Sequence, residues 1–258
     1  MSLVFDFYIP RDAWLHRLDP RVKLWGTALG FFTAFMLPDL LSQVVFLSGL
    51  HLLLLANAIP WRVVGRLWRQ MAILLVLILV LQPFFAPAGR ELVTLGPLRL
   101  TLGGIAAALL LATRTMALAC VVGALLFTTD QRALVRAFVR LGVPYAWGLT
   151  FSLTLRFLPA IQSLFVAVRE AQAARGWVAE GNLVRRFREY LPVLVAVVIG
   201  TLRMSDRLTL ALAARGLATA AQRTVWRDLR MRPADWGMLA GLTLAFGALV
   251  AWRVAFWG

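Results

Sequence analysis

Polar and apolar positions fall in long blocks along this chain. Residues 1–23 form a polar arm with scattered aromatics, Phe5, Phe7, Tyr8 and Trp14. Apolar runs follow at Leu24–Leu37 and Leu41–Ile59, separated by Pro38-Asp39, and then at Met71–Ala86, Gly103–Phe127 and Trp236–Trp257. About 20 apolar residues carry a helix across roughly 30 Å of hydrocarbon. The first run is short by that measure, so its helix is expected to begin nearer Arg21. The pattern predicts an all-α polytopic membrane protein with about five transmembrane helices. Pro83 and Pro87 are expected to end the third span, and residues 87–102 to form a loop. Gly26/Gly30 and Gly237/Gly241 are GxxxG pairs, a spacing that lets membrane helices approach closely.

The period changes at Thr128. Arg132, Arg136 and Arg140 recur every four residues, with Leu134, Val135, Phe138, Val139 and Leu141 between them. This predicts an amphipathic helix with a basic stripe, capped by Thr129 or Asp130 and ended by Gly142-Val143-Pro144. Trp147–Val168 is apolar but interrupted by Arg156 and Pro159. It leads through Arg169-Glu170 to Ala173-Ala174-Arg175-Gly176. After a loop to Gly181 and the cations Arg185, Arg186 and Arg188, a second apolar run extends from Tyr190 past Pro192 to Leu202. It leads through Arg203, Asp206 and Arg207 to a second copy of the same phrase, Ala213-Ala214-Arg215-Gly216. The predicted division is an arm at 1–23, four spans over 24–128, a basic cytosolic segment over 129–235 and a last span over 236–258.

Composition supports the membrane assignment. Hydrophobic residues make up 61% of the chain, against about 45–50% in ordinary globular domains. The net charge of +15 comes from 27 basic and 12 acidic residues. In a soluble protein that balance would suggest nucleic acid; here it fits the rule that positive charge holds loops on the cytoplasmic side. With the N-terminus inside, seven cations precede the third span on the cytosolic side (Arg11, Arg17, Arg21, Lys23, Arg62, Arg66, Arg69), and the stretch 129–235 holds sixteen arginines. Outside lie Arg90, Arg99 and Arg253. The expected location is the cell membrane, with a cytoplasmic N-terminus and no nucleic-acid partner.

Cys120 is the one cysteine, and His16 and His51 are isolated, which argues against a disulfide or a metal site. No signal-peptide pattern opens the chain. Arg114 falls near the middle of the fourth span, where a charge costs about 2.5–3.5 kcal/mol on insertion scales and turns toward protein or water. It is either a site for a partner or substrate, or a bundle-interior arginine hydrogen-bonded to helix carbonyls.

The repeated phrase has a structural explanation: glycine closes a helix in the left-handed conformation, and arginine complements the dipole of the last turn. Repetition adds a functional one. Pro159 lies 17 residues before Gly176 and Pro192 lies 24 before Gly216. The difference, about two helical turns, gives the two arginines nearly the same orientation relative to their prolines. A slim, cation-tipped helix end suits a groove on another protein. No carboxylate, histidine or thiol accompanies it for catalysis.

The chain over about residues 8–240 resembles the transmembrane T component (EcfT/CbiQ-like) of energy-coupling factor (ECF) transporters. The resemblance rests on Tyr8-Ile-Pro10, on Leu15-His-Arg-Leu-Asp-Pro-Arg-Val-Lys-Leu24, on Leu155-Arg-Phe-Leu-Pro159, and on the two Ala-Arg-Gly triplets at 174–176 and 214–216. It implies an L-shaped all-α subunit with long cytosolic coupling helices, part of an ATP-driven importer of vitamins or metal ions in a bacterial or archaeal cell membrane. By that resemblance the residues Ala174, Arg175, Gly176, Ala214, Arg215 and Gly216 would dock into two ABC-type ATPase subunits forming a heterodimer, and the membrane part would cradle a substrate-binding S component. Asp19, Pro20, Arg21, Arg156 and Pro159 would have structural or coupling roles. The chain has no Gly-x-x-x-x-Gly-Lys-Ser/Thr phosphate loop, so Mg-ATP would be bound by the partner ATPases and no cofactor by this chain. Gln82 and Arg114 are the notable polar side chains of the spans, too few for an ion-driven carrier. Two other readings compete: a membrane enzyme acting on phosphate-bearing lipid at the cytosolic face, and a lipid anchor built on the basic stripe. The enzyme would need paired carboxylates for a metal, and Asp228 has none near it, Asp235 being seven positions away.

Overall fold

The structure, a computed structural model, describes residues 8, 9, 11, 13–85, 91–95, 98–177, 182–216 and 231–257. The helices among them are α1 (Trp14–Arg17), α2 (Pro20–Met36), α3 (Leu40–Ala56), α4 (Trp61–Phe85), α5 (Leu102–Thr128), α6 (Gln131–Arg140), α7 (Tyr145–Ala174), α8 (Leu183–Ala214) and α9 (Pro233–Trp257). Among the described residues the architecture is all-α apart from one short hairpin. The chain divides into two compact units, one of residues 6–142 with 229–258 and one of residues 143–228.

The first unit is a helical bundle around α5. Ten residues of α5 are buried, many of them small (Gly104, Ala108, Ala112, Ala117, Gly123). Small side chains let α2, α3 and α4 all pack on this one helix. Leu54, Ile59, Val64 and Leu75 meet Ala112, Met116, Cys120 and Phe127 in the core. Asp19 starts α2 by accepting the Arg21 N–H at 2.9 Å, and Pro20 supplies the first helical position, where its missing N–H costs nothing.

Two registers run the length of the bundle. Helix α2 is antiparallel to α5: Lys23 meets Thr128, Gly30 faces Val121, and Leu37 receives Arg114. Helix α9 is parallel to α2, with contacts at Asp19–Asp235, Trp25–Thr243 and Met36–Arg253. The glycines of the first GxxxG pair serve different neighbours. A Cβ on Gly26 would lie 3.2 Å from Leu242 of α9, and one on Gly30 would lie 3.2 Å from Val121 of α5. A Cβ added at Gly237 or Gly241 would meet nothing within 4 Å beyond its own helix backbone.

Two details differ from the sequence expectation. The basic segment with Arg62, Arg66 and Arg69 and the third span are one 25-residue helix, α4, which contains Pro83 and ends at Phe85. Pro83 lacks the N–H that would donate to the Leu79 carbonyl, and the helix closes two residues later. Within 87–102, expected as a loop, β1 (Glu91–Leu95) pairs antiparallel with β2 (Leu98–Thr101). Thr101 then caps α5 by accepting the Gly104 N–H at 3.0 Å.

Helices α4, α5, α9 and the stretch 146–174 of α7 are long and apolar enough to cross a membrane, and α3 is a shorter apolar helix.

In the second unit α7 and α8 run past each other in opposite directions. A Cβ on Gly200 would come within 2.9 Å of Leu164 Cδ2, so the helices touch there. Farther along α7, Trp177 donates its indole N–H to the Glu189 carbonyl at 2.7 Å and packs edge-on to Tyr190. Advancing along α7 therefore means moving back along α8. Pro159 and Pro192 lie inside their helices.

Candidate functional site: two arginine-tipped helix ends

Helix α7 ends at Ala174 and α8 at Ala214, each immediately before its Arg-Gly. Gly176 has φ +84° and Gly216 φ +75°, the left-handed region that glycine enters without steric cost. At the first end the Trp177 N–H reaches back to the Gln172 carbonyl at 3.1 Å and the Gly176 N–H to the Ala173 carbonyl at 2.9 Å. Together these are the paired bonds of a Schellman cap. At the second end the Gly216 N–H donates to the Ala213 carbonyl at 2.9 Å, the equivalent inner bond. The backbone carbonyls of both tips are thus largely satisfied from within.

The arginine side chains are left outside this scheme. Arg175 and Arg215 are exposed, as are Ala174 and Ala214. Among the described residues neither guanidinium has an ion pair or a hydrogen bond. Because α7 and α8 run in opposite directions through the Gly200–Leu164 contact, the two tips project to opposite sides of it. At 1.5 Å per residue, Arg175 lies about 16 Å and Arg215 about 22 Å along its helix from the crossing. The pair presents two like-charged tips tens of ångströms apart.

The other predicted residues divide between the units. Arg156 is exposed on α7, and Pro159 lies one turn further on, also exposed. Arg21 is half-buried, its Nε 4.0 Å from Asp19 Oδ1. Arg114 donates to the Leu37 carbonyl at 3.1 Å and lies 5.6 Å from the centre of the Phe35 ring. This is the carbonyl-bonded, bundle-interior arrangement, with an added cation–π contact. Arg253 of α9 donates to the neighbouring Met36 carbonyl. Helix α2 is short, so its C-terminal carbonyls open part-way along α5, and two arginines satisfy them.

A polar knot at the opposite end was not foreseen. The Asp235 carboxylate accepts the N–H of Asp19 at 3.0 Å and that of Arg232 at 2.8 Å. Buried Lys23 donates its ammonium to the Thr128 carbonyl at 2.8 Å and to the His16 carbonyl at 3.3 Å. Asn57, fully buried, accepts the Leu15 N–H at 3.0 Å. The knot ties the N-terminal arm to α3, α5 and α9. No spacing in the sequence joins Asp19 to a carboxylate 216 residues away.

Among the described residues no group of three or more His, Cys, Asp or Glu is placed to hold a metal ion. The loop to Gly181 and the basic tail Arg223, Arg227 and Arg230, together with Asp228, lie outside the described residues.

Comparison with known proteins gives the arrangement a context. A family profile described as cobalt transport protein (CbiQ) matches residues 11–226. The energy-coupling factor transporter transmembrane protein EcfT of Thermosediminibacter oceani is 31% identical over 257 residues, covering 95% of this chain and 96% of that one. EcfT of Streptococcus equi subsp. equi is 29% identical over 243 residues, 91% of this chain and 90% of that one. A putative ABC transporter ATP-binding protein of Bifidobacterium longum is 35% identical over 254 residues, which are 94% of this chain but 32% of that protein's length. The profile's range, 11–226, takes in the Asp19-Pro-Arg21 element, the Leu155–Pro159 segment and both Ala-Arg-Gly helix ends. The chain belongs to the EcfT/CbiQ-like family of transmembrane T components of energy-coupling factor transporters.

Proposed function

We infer that this chain couples two ABC-type ATPase subunits to a membrane-embedded, substrate-binding S component, and that the assembly imports a vitamin or a metal ion. The observation that carries this reading is the pair of exposed Arg-Gly helix ends. Each is closed by its own backbone, each leaves its guanidinium without a partner among the described residues, and the two point away from one crossing. An exposed arginine of this kind forms strong charge-assisted bonds with acidic groups in a partner's groove, and two tips suit two grooves.

Three further observations support it. The same region occupies about a third of a Bifidobacterium protein named for ATP binding, while this chain has no phosphate loop of its own. Helices α7 and α8 expose Trp147, Phe151, Leu191, Val195, Val198 and Leu202, an apolar surface too large to face water unpartnered and suited to a membrane partner. Finally, the start of α2 and the end of α5 lie together, and Gly123 of α5 lies beside Leu67 of α4. Lys23, Arg62, Arg66, Arg69 and α6 therefore share one end of the bundle, which the positive-inside rule makes cytoplasmic. Substrate choice belongs to the S component, and the chain suits either a shared or a dedicated module. Its own role is non-catalytic, with Mg-ATP held by the ATPases.

The test is to purify the chain with the products of its neighbouring genes and then repeat the purification with Arg175→Glu plus Arg215→Glu. Two different ATPases are expected to accompany the native chain. The double variant is expected to remain in the membrane, lose the ATPases and lose uptake. Undiminished uptake at normal expression would sink the coupling role.

A further inference from the structure

We propose that α6 lies in the headgroup layer at the basic end of the bundle and binds anionic phospholipid through Arg132, Arg136 and Arg140. The position of the helix comes first. Helix α5 has 27 residues, about 40 Å of helix, more than the roughly 30 Å of hydrocarbon. Asp130 starts α6 by accepting the Arg132 N–H at 3.4 Å, two residues after α5 ends. The start of α6 is therefore tethered where a membrane span leaves the bilayer. The helix packs against α2, so it lies alongside the bundle it has just left.

Its two faces differ sharply. Ala137 is buried. Phe138 is 48% exposed and Leu141 61% exposed; with half-buried Leu134 they occupy one face at i, i+4, i+7. Phe138 lies about 200° around the helix from Arg136, so the arginine stripe faces the other way. A protein partner that bound through arginine and phenylalanine together would need both on one face. A bilayer surface takes them on opposite faces: apolar side chains down among the acyl chains, cations up among the headgroups.

Charge identifies the lipid. Arg62, Arg66 and Arg69 of α4 are exposed at the same end of the bundle, beside the exposed Trp61 and Trp68. Tryptophans of this kind mark the membrane–water boundary. The described carboxylates at this end, Asp19, Asp130 and Asp235, are each engaged as acceptors of backbone N–H groups. Arg62, Arg66, Arg69, Arg132 and Arg136 have no ion pair among the described residues, and the Arg136 Nε is buried without a hydrogen-bond partner. Anionic headgroups supply the missing counter-charge. Near an anionic surface each arginine gains about fivefold in affinity.

The experiment uses the full chain in nanodiscs of phosphatidylcholine with and without phosphatidylglycerol. Single cysteines replace Phe138 or Arg132 on a Cys120→Ser background and carry a polarity-sensitive fluorophore. Lipids brominated in the acyl chain are expected to quench the label at 138 several-fold more than the label at 132. In parallel, phosphatidylglycerol retained after partial delipidation is measured by native mass spectrometry. Enrichment over phosphatidylcholine is expected to fall about tenfold or more in Arg132→Gln/Arg136→Gln/Arg140→Gln, consistent with the loss of three surface cations. Equal quenching at the two positions overturns the proposal. So does unchanged enrichment in the triple variant, or a label at 138 that escapes lipid quenching and is shielded only when ATPase subunits are added, which would make the face a protein interface.

Discussion

The arginines of the two units are handled in opposite ways. In the bundle, Arg114 and Arg253 are consumed by the structure: both donate to carbonyls at the end of α2. In the second unit, Arg175 and Arg215 contribute almost nothing to their own fold, because the glycine that follows each has already closed the helix. A cation inside a membrane bundle is costly unless it is bonded. A cation on an exposed tip is cheap to keep and remains available to a partner. Residue type therefore does not separate structural from functional arginines here; the state of the neighbouring carbonyls does.

The sharpest break of this comparison is Arg175→Glu alone. Charge-assisted bonds contribute about 1.5–3 kcal/mol, so ATPase affinity is expected to fall by at least about tenfold, measured by titrating ATPase onto immobilised chain. The thermal midpoint in detergent should stay unchanged. A large drop in that midpoint would mean that Arg175 is structural after all. Arg114→Leu should do the reverse. It leaves the Leu37 carbonyl without its donor and should cost about 1–3 kcal/mol of stability, read by thermal unfolding, with uptake falling only as folded protein falls.

Smaller effects sharpen the account of the tips. Gly216→Ala forces a side chain into the left-handed region at a cost of about 1 kcal/mol, whereas Gly216→Asn should be better tolerated. Uptake assays should rank native, Asn and Ala in that order, and equal activity of Ala and glycine would remove the argument from φ. Gly200→Ala presses on the end of Leu164, a flexible side chain, so the expected loss is under about 1 kcal/mol. Gly241→Ala, with open space around it, should stay within about 0.5 kcal/mol of native and serves as the control.

Much of this was legible along the chain. Apolar runs of membrane length, the four-residue spacing of Arg132, Arg136 and Arg140, and glycine after each Ala-Ala-Arg are local signals, and local physics turns them into spans, an amphipathic helix and two capped ends. The third span, expected over Met71–Ala86 with its end at Pro83/Pro87, closes at Phe85 with Pro83 still inside the helix. The 91–101 hairpin was missed because two strands of four and five residues leave only a faint alternation between long helices. The first GxxxG pair was rightly read as a close-packing site, but nothing in the motif says that Gly26 faces α9 and Gly30 faces α5.

What the sequence determined by itself is the long apolar and amphipathic stretches and the pair of tips, since hydrophobic length and backbone capping depend on neighbours within a few residues. Only the tertiary structure decided which arginines are free. Arg114 finds its acceptor 77 residues away, and Asp19 meets Asp235 across 216. Such pairings depend on how helices register against one another, and a buried polar group takes whichever partner that packing brings within about 3 Å.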